Sequence, residues 1–241
     1  MNKRVFNKRL IFVCTFICIW LLGYGIIKKI YINNEDIEVN ATPITNKVIV
    51  IDAGHGKPDE GAVGYFGTSE QSINLSITLK LQKLIEQSGA KVVLTRSDEN
   101  GIYSTDSESI KSKKVSDTKN RVKIGNESMA DIFISIHLNK FPASSSYSGW
   151  QTFYQKDNEK SKKLADLIQN NLNKNIQMEN NREILPISQI YIMDNVKIPT
   201  VIVECGFLSN MEETTKLKTE EYQNKLAWGI YLGIQEYFEG E

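Results

Sequence analysis

From Lys47 onward the chain alternates between two hydrophobic periodicities. Val48-Ile49-Val50-Ile51-Asp52 is a continuous β-branched run and predicts a buried strand over 47–52. A glycine-rich loop follows as far as Gly67. Thr68 and Ser69 then offer helix N-caps before Glu70, and Ile73, Ile77, Leu81, Leu84 and Ile85 keep helical spacing up to a stop at Gly89. The same reading predicts strands at 91–95, 132–136, 190–193 and 201–205, with a half-exposed or edge strand at 149–155. It predicts helices at 117–129, 161–172 and 221–238, and takes the Ser-, Asp- and Lys-rich stretch 96–118 as a long exposed loop. Strands alternating with helices imply a three-layer α/β domain whose central sheet is mixed but mostly parallel.

The N-terminus follows neither period. Residues 1–9 are basic, residues 10–27 are uncharged and mostly apolar, and Lys28-Lys29 closes the stretch. Eighteen residues fall within the roughly 17–25 that a membrane-spanning helix needs. A cleaved signal peptide is the rival, but Leu22-Gly23-Tyr24-Gly25-Ile26-Ile27 offers no small-residue cleavage pattern. The expectation is an uncleaved anchor with the first residues in the cytoplasm and the remainder outside. Residues 28–46 are read as a linker and 47–241 as one domain of ordinary size.

Charge narrows the partners. Residues 1–31 hold six basic and no acidic side chains, leaving 23 Lys plus Arg against 29 Asp plus Glu in the rest. A mildly acidic body supplies no basic stripe for phosphates, which disfavours nucleic acid. Cys14 and Cys18 fall in the apolar stretch and Cys205 in a buried strand, so no disulfide is predicted.

The candidate chemistry lies at strand ends. The chain's two histidines, His55 and His137, each follow a β-branched run, at the edge where α/β folds usually bind ligands. Together they suggest a metal site, although position alone also fits ordinary surface or core histidines. A catalytic zinc usually takes three protein ligands, so a carboxylate or thiolate would have to complete the set. Glu70 can turn back toward His55, yet an acid in a first helical turn also serves the helix dipole, and position alone favours that plainer role. Glu204 sits inside an apolar strand, where a carboxylate needs a cation, a metal or a function; an ion pair and a general base both satisfy that need. Its neighbour Cys205 must point to the opposite face, which argues for a core thiol over a nucleophile.

Four segments in order carry a resemblance. Asp52-Ala53-Gly54-His55-Gly56-Lys57-Pro58-Asp59-Glu60-Gly61-Ala62, Glu70 ahead of Asn74-Leu75, Ser135-Ile136-His137-Leu138-Asn139, and Val203-Glu204-Cys205-Gly206-Phe207-Leu208-Ser209-Asn210 resemble the motifs of zinc-dependent N-acetylmuramoyl-L-alanine amidases. Thr95-Arg96, Arg121 and Asn126 also fall where such sequences carry them. The likeness spans nearly all of 47–238. Ala53, Lys57 and Cys205 depart from the usual residues without removing a ligand. A short chain with an N-terminal anchor and no wall-binding repeats is most similar to the germination-specific, spore-cortex branch.

The resemblance implies that His55, Glu70 and His137 bind Zn²⁺ and that Glu204 is the catalytic base. It implies hydrolysis of the amide between the muramic lactyl group and L-alanine of the peptidoglycan stem peptide, preparing muramic-δ-lactam formation. A separate deacetylase is then expected downstream, an activating protein partner is possible, and the domain would face the extracytoplasmic or intermembrane cortex space, or be secreted if the N-terminal segment is cleaved. The alternatives are a non-catalytic peptidoglycan-binding or regulatory module of the same fold, and a zinc carboxypeptidase acting on the stem peptide. The 97–118 segment is expected to border the site as a substrate wall or a dock for a regulator.

Overall fold

The computed structural model describes residues 15–17, 20–25, 28 and 41–240. The chain divides into two units, Met1–Ala41 and Thr42–Glu241. In the first, residues 15–17, 20–25 and 28 are helical, and the rest of the anticipated span at 10–27 lies outside the described residues. Among the described residues no helix is long and apolar enough to cross a membrane.

In the second unit, six strands form one sheet: β1 (Val48–Ala53), β2 (Lys91–Leu94), β3 (Ile132–Asn139), β4 (Gln151–Gln155), β5 (Leu185–Ile187) and β6 (Thr200–Phe207), in the order β2-β1-β3-β6-β4-β5. All neighbours are parallel except β4 and β6. The helices are α1 (Glu70–Gln87), α2 (Ile110–Glu127), α3 (Glu159–Ile176), α4 (Tyr191–Asn195), α5 (Met211–Leu217) and α6 (Glu220–Glu239).

Strand alternation sorts the core. Ile49 and Ile51, Ile132, Ile134 and Ile136, and Val201 and Val203 point to one face, where they pack with Ile77 and Leu81 of α1, Leu164 and Ile168 of α3, and Leu226 and Ile230 of α6. The opposite face carries Val50 and Phe133 against Val122 of α2 and Ile192 and Val196 from α4 and its C-terminus. Each fully buried aliphatic side chain contributes about 1.5–3 kcal/mol, so the larger cluster dominates stability. Helix α6 approaches α3 closely because Gly229 and Gly233 lack side chains: a Cβ on Gly233 would lie 2.6 Å from the Ile168 Cα. The three-layer α/β expectation therefore holds.

Several local expectations change. Residues 190–193, read as a strand, begin the short helix α4. The backbone here closes helical bonds instead of pairing with the sheet: Asp194 N donates to Ile190 O and Val196 N to Ile192 O, both at 3.0 Å, with Ile192 and Met193 buried and Ile190 and Tyr191 exposed. The strand beside β4 is instead β5, so β4 is not an edge strand. The polar stretch at 96–118 is loop only to Ser109. There a capping box between Ser109 and Ser112 starts α2, whose buried residues are just Arg121, Val122 and Gly125. A helix with so little apolar stripe leaves little periodic trace. Helix α5, capped by the Asn210 side chain accepting from Glu213 N at 3.0 Å, was not anticipated.

Candidate metal centre and hydrolytic base

Strands β1, β3 and β6 end together, and their register sets the site. Asp52 pairs with Ser135, and His137 pairs with Glu204. Period-2 alternation puts these four side chains on the α2 face.

At the end of β1, residues 53–55 are fixed through their carbonyls. Ala53 O accepts from Arg96 Nε (2.8 Å) and Arg121 Nη1 (2.7 Å), and Gly54 O accepts from Arg96 Nη2 (3.0 Å) and Asn74 Nδ2 (3.2 Å). His55 O accepts from Arg121 Nη2. Held this way, His55 takes a left-handed conformation (φ 62°) that aims its ring back over the sheet edge. Beneath it, the fully buried Asp52 accepts from Thr95 Oγ1 (2.7 Å), Ser135 Oγ (2.6 Å) and Arg121. Burial raises the Asp52 carboxyl, but Arg121 and then the two hydroxyls more than reverse this and hold it at about 2.

Glu70 opens α1 but is buried, so its carboxylate does not serve the helix end from solvent. Its Oε2 accepts from Ala62 N (2.8 Å), while Oε1 accepts from Leu138 N (3.1 Å) and faces both imidazoles, 3.3 Å from His55 Nε2 and 3.0 Å from His137 Nδ1. One ligand atom from each of His55, Glu70 and His137 lies within 4.8 Å of the others. Two imidazoles and a carboxylate converging this way could hold a divalent cation. Asp59 Oδ2 sits 2.9 Å from His55 Nδ1, making that nitrogen the donor and leaving Nε2 for a metal. Asp59 is itself held by Gly61 N (3.1 Å) and Lys114 Nζ (2.8 Å). Burial lowers the His55 imidazole, yet its hydrogen bonds to the Asp59 and Glu70 carboxylates, and their negative charges, raise it to about 9.

Gly54 makes room for His137. A Cβ on Gly54 would lie 2.3, 2.4 and 2.7 Å from three ring atoms of His137. Gly54→Ala should therefore push that ring aside and lower divalent-cation affinity by about 10- to 100-fold, read by competition with a chelating dye. Unchanged affinity would remove His137 from the ligand set.

Glu204 is half-buried beside His137, and its Oε2 is enclosed with no hydrogen-bond partner. Burial pushes the carboxyl up to about 7, with His137 pulling it down and Glu70 pushing it up. An acid poised near neutrality with a free oxygen suits a general base. Cys205 points into the opposite core, where burial raises its thiol well above the usual range.

Residues 103–118 do reach the site: Tyr103, Lys113 and Lys114 line a cavity of about 110 Å³ together with His55 and His137. The structure also shows what sequence reasoning left without a role. Asp59 and Lys114 steady His55, and the Asp52–Arg121 pair underlies the loop; a buried acid at a strand's end was the available signal for the latter.

Comparison with known proteins identifies the family. The family profile described as N-acetylmuramoyl-L-alanine amidase matches residues 49–236. The germination-specific N-acetylmuramoyl-L-alanine amidase of Bacillus subtilis (strain 168) is 36% identical over 223 residues, covering 91% of this chain and 93% of that protein. The CwlD amidase from Clostridioides difficile, solved in complex with the GerS lipoprotein, is 47% identical with a TM-score of 0.79, covering 81% of this chain and 100% of that one. The catalytic domain of CwlV, an N-acetylmuramoyl-L-alanine amidase from Bacillus (Paenibacillus) polymyxa var. colistinus, is 34% identical with a TM-score of 0.69, covering 81% and 99%. By the family profile it matches and the relatives it resembles along most of its length, the chain belongs to the N-acetylmuramoyl-L-alanine amidase family of peptidoglycan hydrolases.

Proposed function

We propose that this amidase uses Zn²⁺ held by His55, Glu70 and His137 to release stem peptides from spore-cortex peptidoglycan, leaving sugars that a separate deacetylase prepares for muramic-δ-lactam formation. The observation that carries the reading is the placement of Glu204 in register with His137, its free oxygen beside a converging His/Glu/His set. Nitrogen and carboxylate donors suit zinc, with one position left open for chemistry. When bound, the ion polarises the lactyl carbonyl and acidifies water toward a pKa of roughly 7. Glu204 takes the proton of the attacking water and delivers it to the departing L-alanine nitrogen. Asp59 keeps His55 in the tautomer that presents Nε2. The cortex assignment is supported by likeness to the germination-specific relative. Likeness to an amidase solved with a lipoprotein supports an activating protein partner, and the apolar stretch at 10–27 supports membrane anchoring with the domain outside the cytoplasm.

Mass spectrometry of digested cortex muropeptides tests the reaction. The amidase frees the N-terminus of L-alanine and leaves a lactyl carboxylate, with one zinc per active chain by elemental analysis. A shortened far end would instead mark a carboxypeptidase. Binding without any peptide release, even with partners present, would mark a non-catalytic module.

A further inference from the structure

The row of side chains that forms the hydrolytic site continues past it. His137 on β3, Glu204 on β6 and Gln151 on β4 are Cα partners in turn, so they line up across three strands on one face. With strands about 4.8 Å apart, Gln151 stands about 10 Å from His137. Its Nε2 donates to Glu183 O at 2.8 Å, and its Oε1 accepts from Arg182 Nη1 at 3.4 Å.

Arg182, on the connection from α3 to β5, is held flat. The register shift after His137 pairs Asn139 with Phe207, a bulge that brings Phe207 onto the same face as Glu204. The Arg182 guanidinium carbon lies 4.4 Å from the Phe207 ring centre and 5.3 Å from that of Tyr147, while Nε donates to Ser148 O at 3.0 Å. Among the described residues no ion pair includes Arg182. Glu213, whose carboxyl feels the Arg182 charge, already accepts from Gly149 N (2.8 Å) and Phe207 N (2.7 Å). A guanidinium stacked on rings and lacking an ion-pair partner is built to receive a planar anion in two parallel hydrogen bonds.

The spacing identifies the anion. The scissile carbon must stand between His137 and Glu204, and the peptide leaves from its nitrogen. Extended chain advances about 3.5 Å per residue, so a carboxylate on the second stem residue lies roughly 7 Å from the scissile carbon. A point between His137 and Glu204 is about 7 Å from Gln151 at that strand spacing, so the carboxylate falls beside Gln151, and a hydrogen bond of about 3 Å reaches on to Arg182, whose Nη1 is 3.4 Å from Gln151 Oε1. We infer that Arg182 is a specificity-determining residue that binds the free carboxylate carried by the stem peptide one residue beyond L-alanine.

This rests on the amidase reading and is tested with the full chain, zinc-loaded, on two synthetic muropeptides. One carries a free α-carboxylate at the second residue and the other a carboxamide. The unaltered protein should favour the carboxylate about 10- to 100-fold in kcat/KM, mostly through KM, as loss of one charged hydrogen-bonded pair predicts. Arg182→Met should bring the two substrates to near parity by slowing only the carboxylate form, and Arg182→Lys should restore part of the preference. No preference in the unaltered protein overturns the inference whatever the variants do. A preference that survives Arg182→Met also overturns it, leaving Arg182 as a counter-charge for Glu213. Failure to cleave either substrate would instead bring down the amidase reading.

Discussion

Glu204→Gln should remove about 10²- to 10⁴-fold of kcat while metal content stays at the unaltered level. Glutamine keeps the shape of the side chain and cannot accept the proton of water. Because Oε2 has no hydrogen-bond partner, the substitution leaves no structural bond to repair, and the fold should melt at nearly the same temperature. The unaltered enzyme should also lose activity on acidification as Glu204 becomes protonated. Burial, offset by the imidazoles and reinforced by Glu70, sets that carboxyl at about 7, and a cation held by His137 and Glu70 would lower it, so the acid limb should lie at or below pH 7. Rates and zinc stoichiometry measured on the same preparations check this. A glutamine variant with more than a tenth of normal kcat would remove Glu204 from the proton-transfer role.

The second large effect is on stability. Arg121→Ala should cost about 3–5 kcal/mol at neutral pH, because it strands the fully buried Asp52 carboxylate and frees the carbonyls of Ala53 and His55. The pH dependence carries the diagnosis. The folded Asp52 carboxyl sits at about 2, below its ordinary 3.8, so its contribution is complete above about pH 4 and is lost as pH falls toward 2. In the variant, burial without Arg121 raises that carboxyl, and acid then relieves the penalty. The gap between the two proteins should therefore narrow by about 2 kcal/mol between pH 7 and pH 3, read by urea unfolding at each pH. A gap independent of pH would mean that Arg121 acts through packing alone.

Legibility in the sequence followed physical signals of uneven strength. The β-branched runs at 48–52, 132–136 and 201–205 announced the central strands, and strand-end glycines and histidines marked the edge that matters. Glu70 was ambiguous because an acid in a first helical turn looks the same whether it faces solvent or folds back beneath a loop; its burial resolves the matter. Helix α2 was half hidden because its inward face is an arginine, a valine and a glycine, leaving almost no apolar rhythm. Residues 190–193 misled for the converse reason, since four consecutive large residues of that kind suit a strand as well as a short helix against Phe133. Arg182 lies in an irregular connection, and only the cross-strand register reveals what it stands beside.

The bulge in β6 lets one strand serve two masters. Upstream of it the backbone is locked into the parallel ladder and keeps Glu204 facing His137; downstream, one surplus residue decides which way Phe207 looks. Deleting that surplus would swing the aromatic ring toward the interior without moving the acid. Substrate preference in such an enzyme can therefore drift through indels at a single joint, with the hydrolytic apparatus inherited intact.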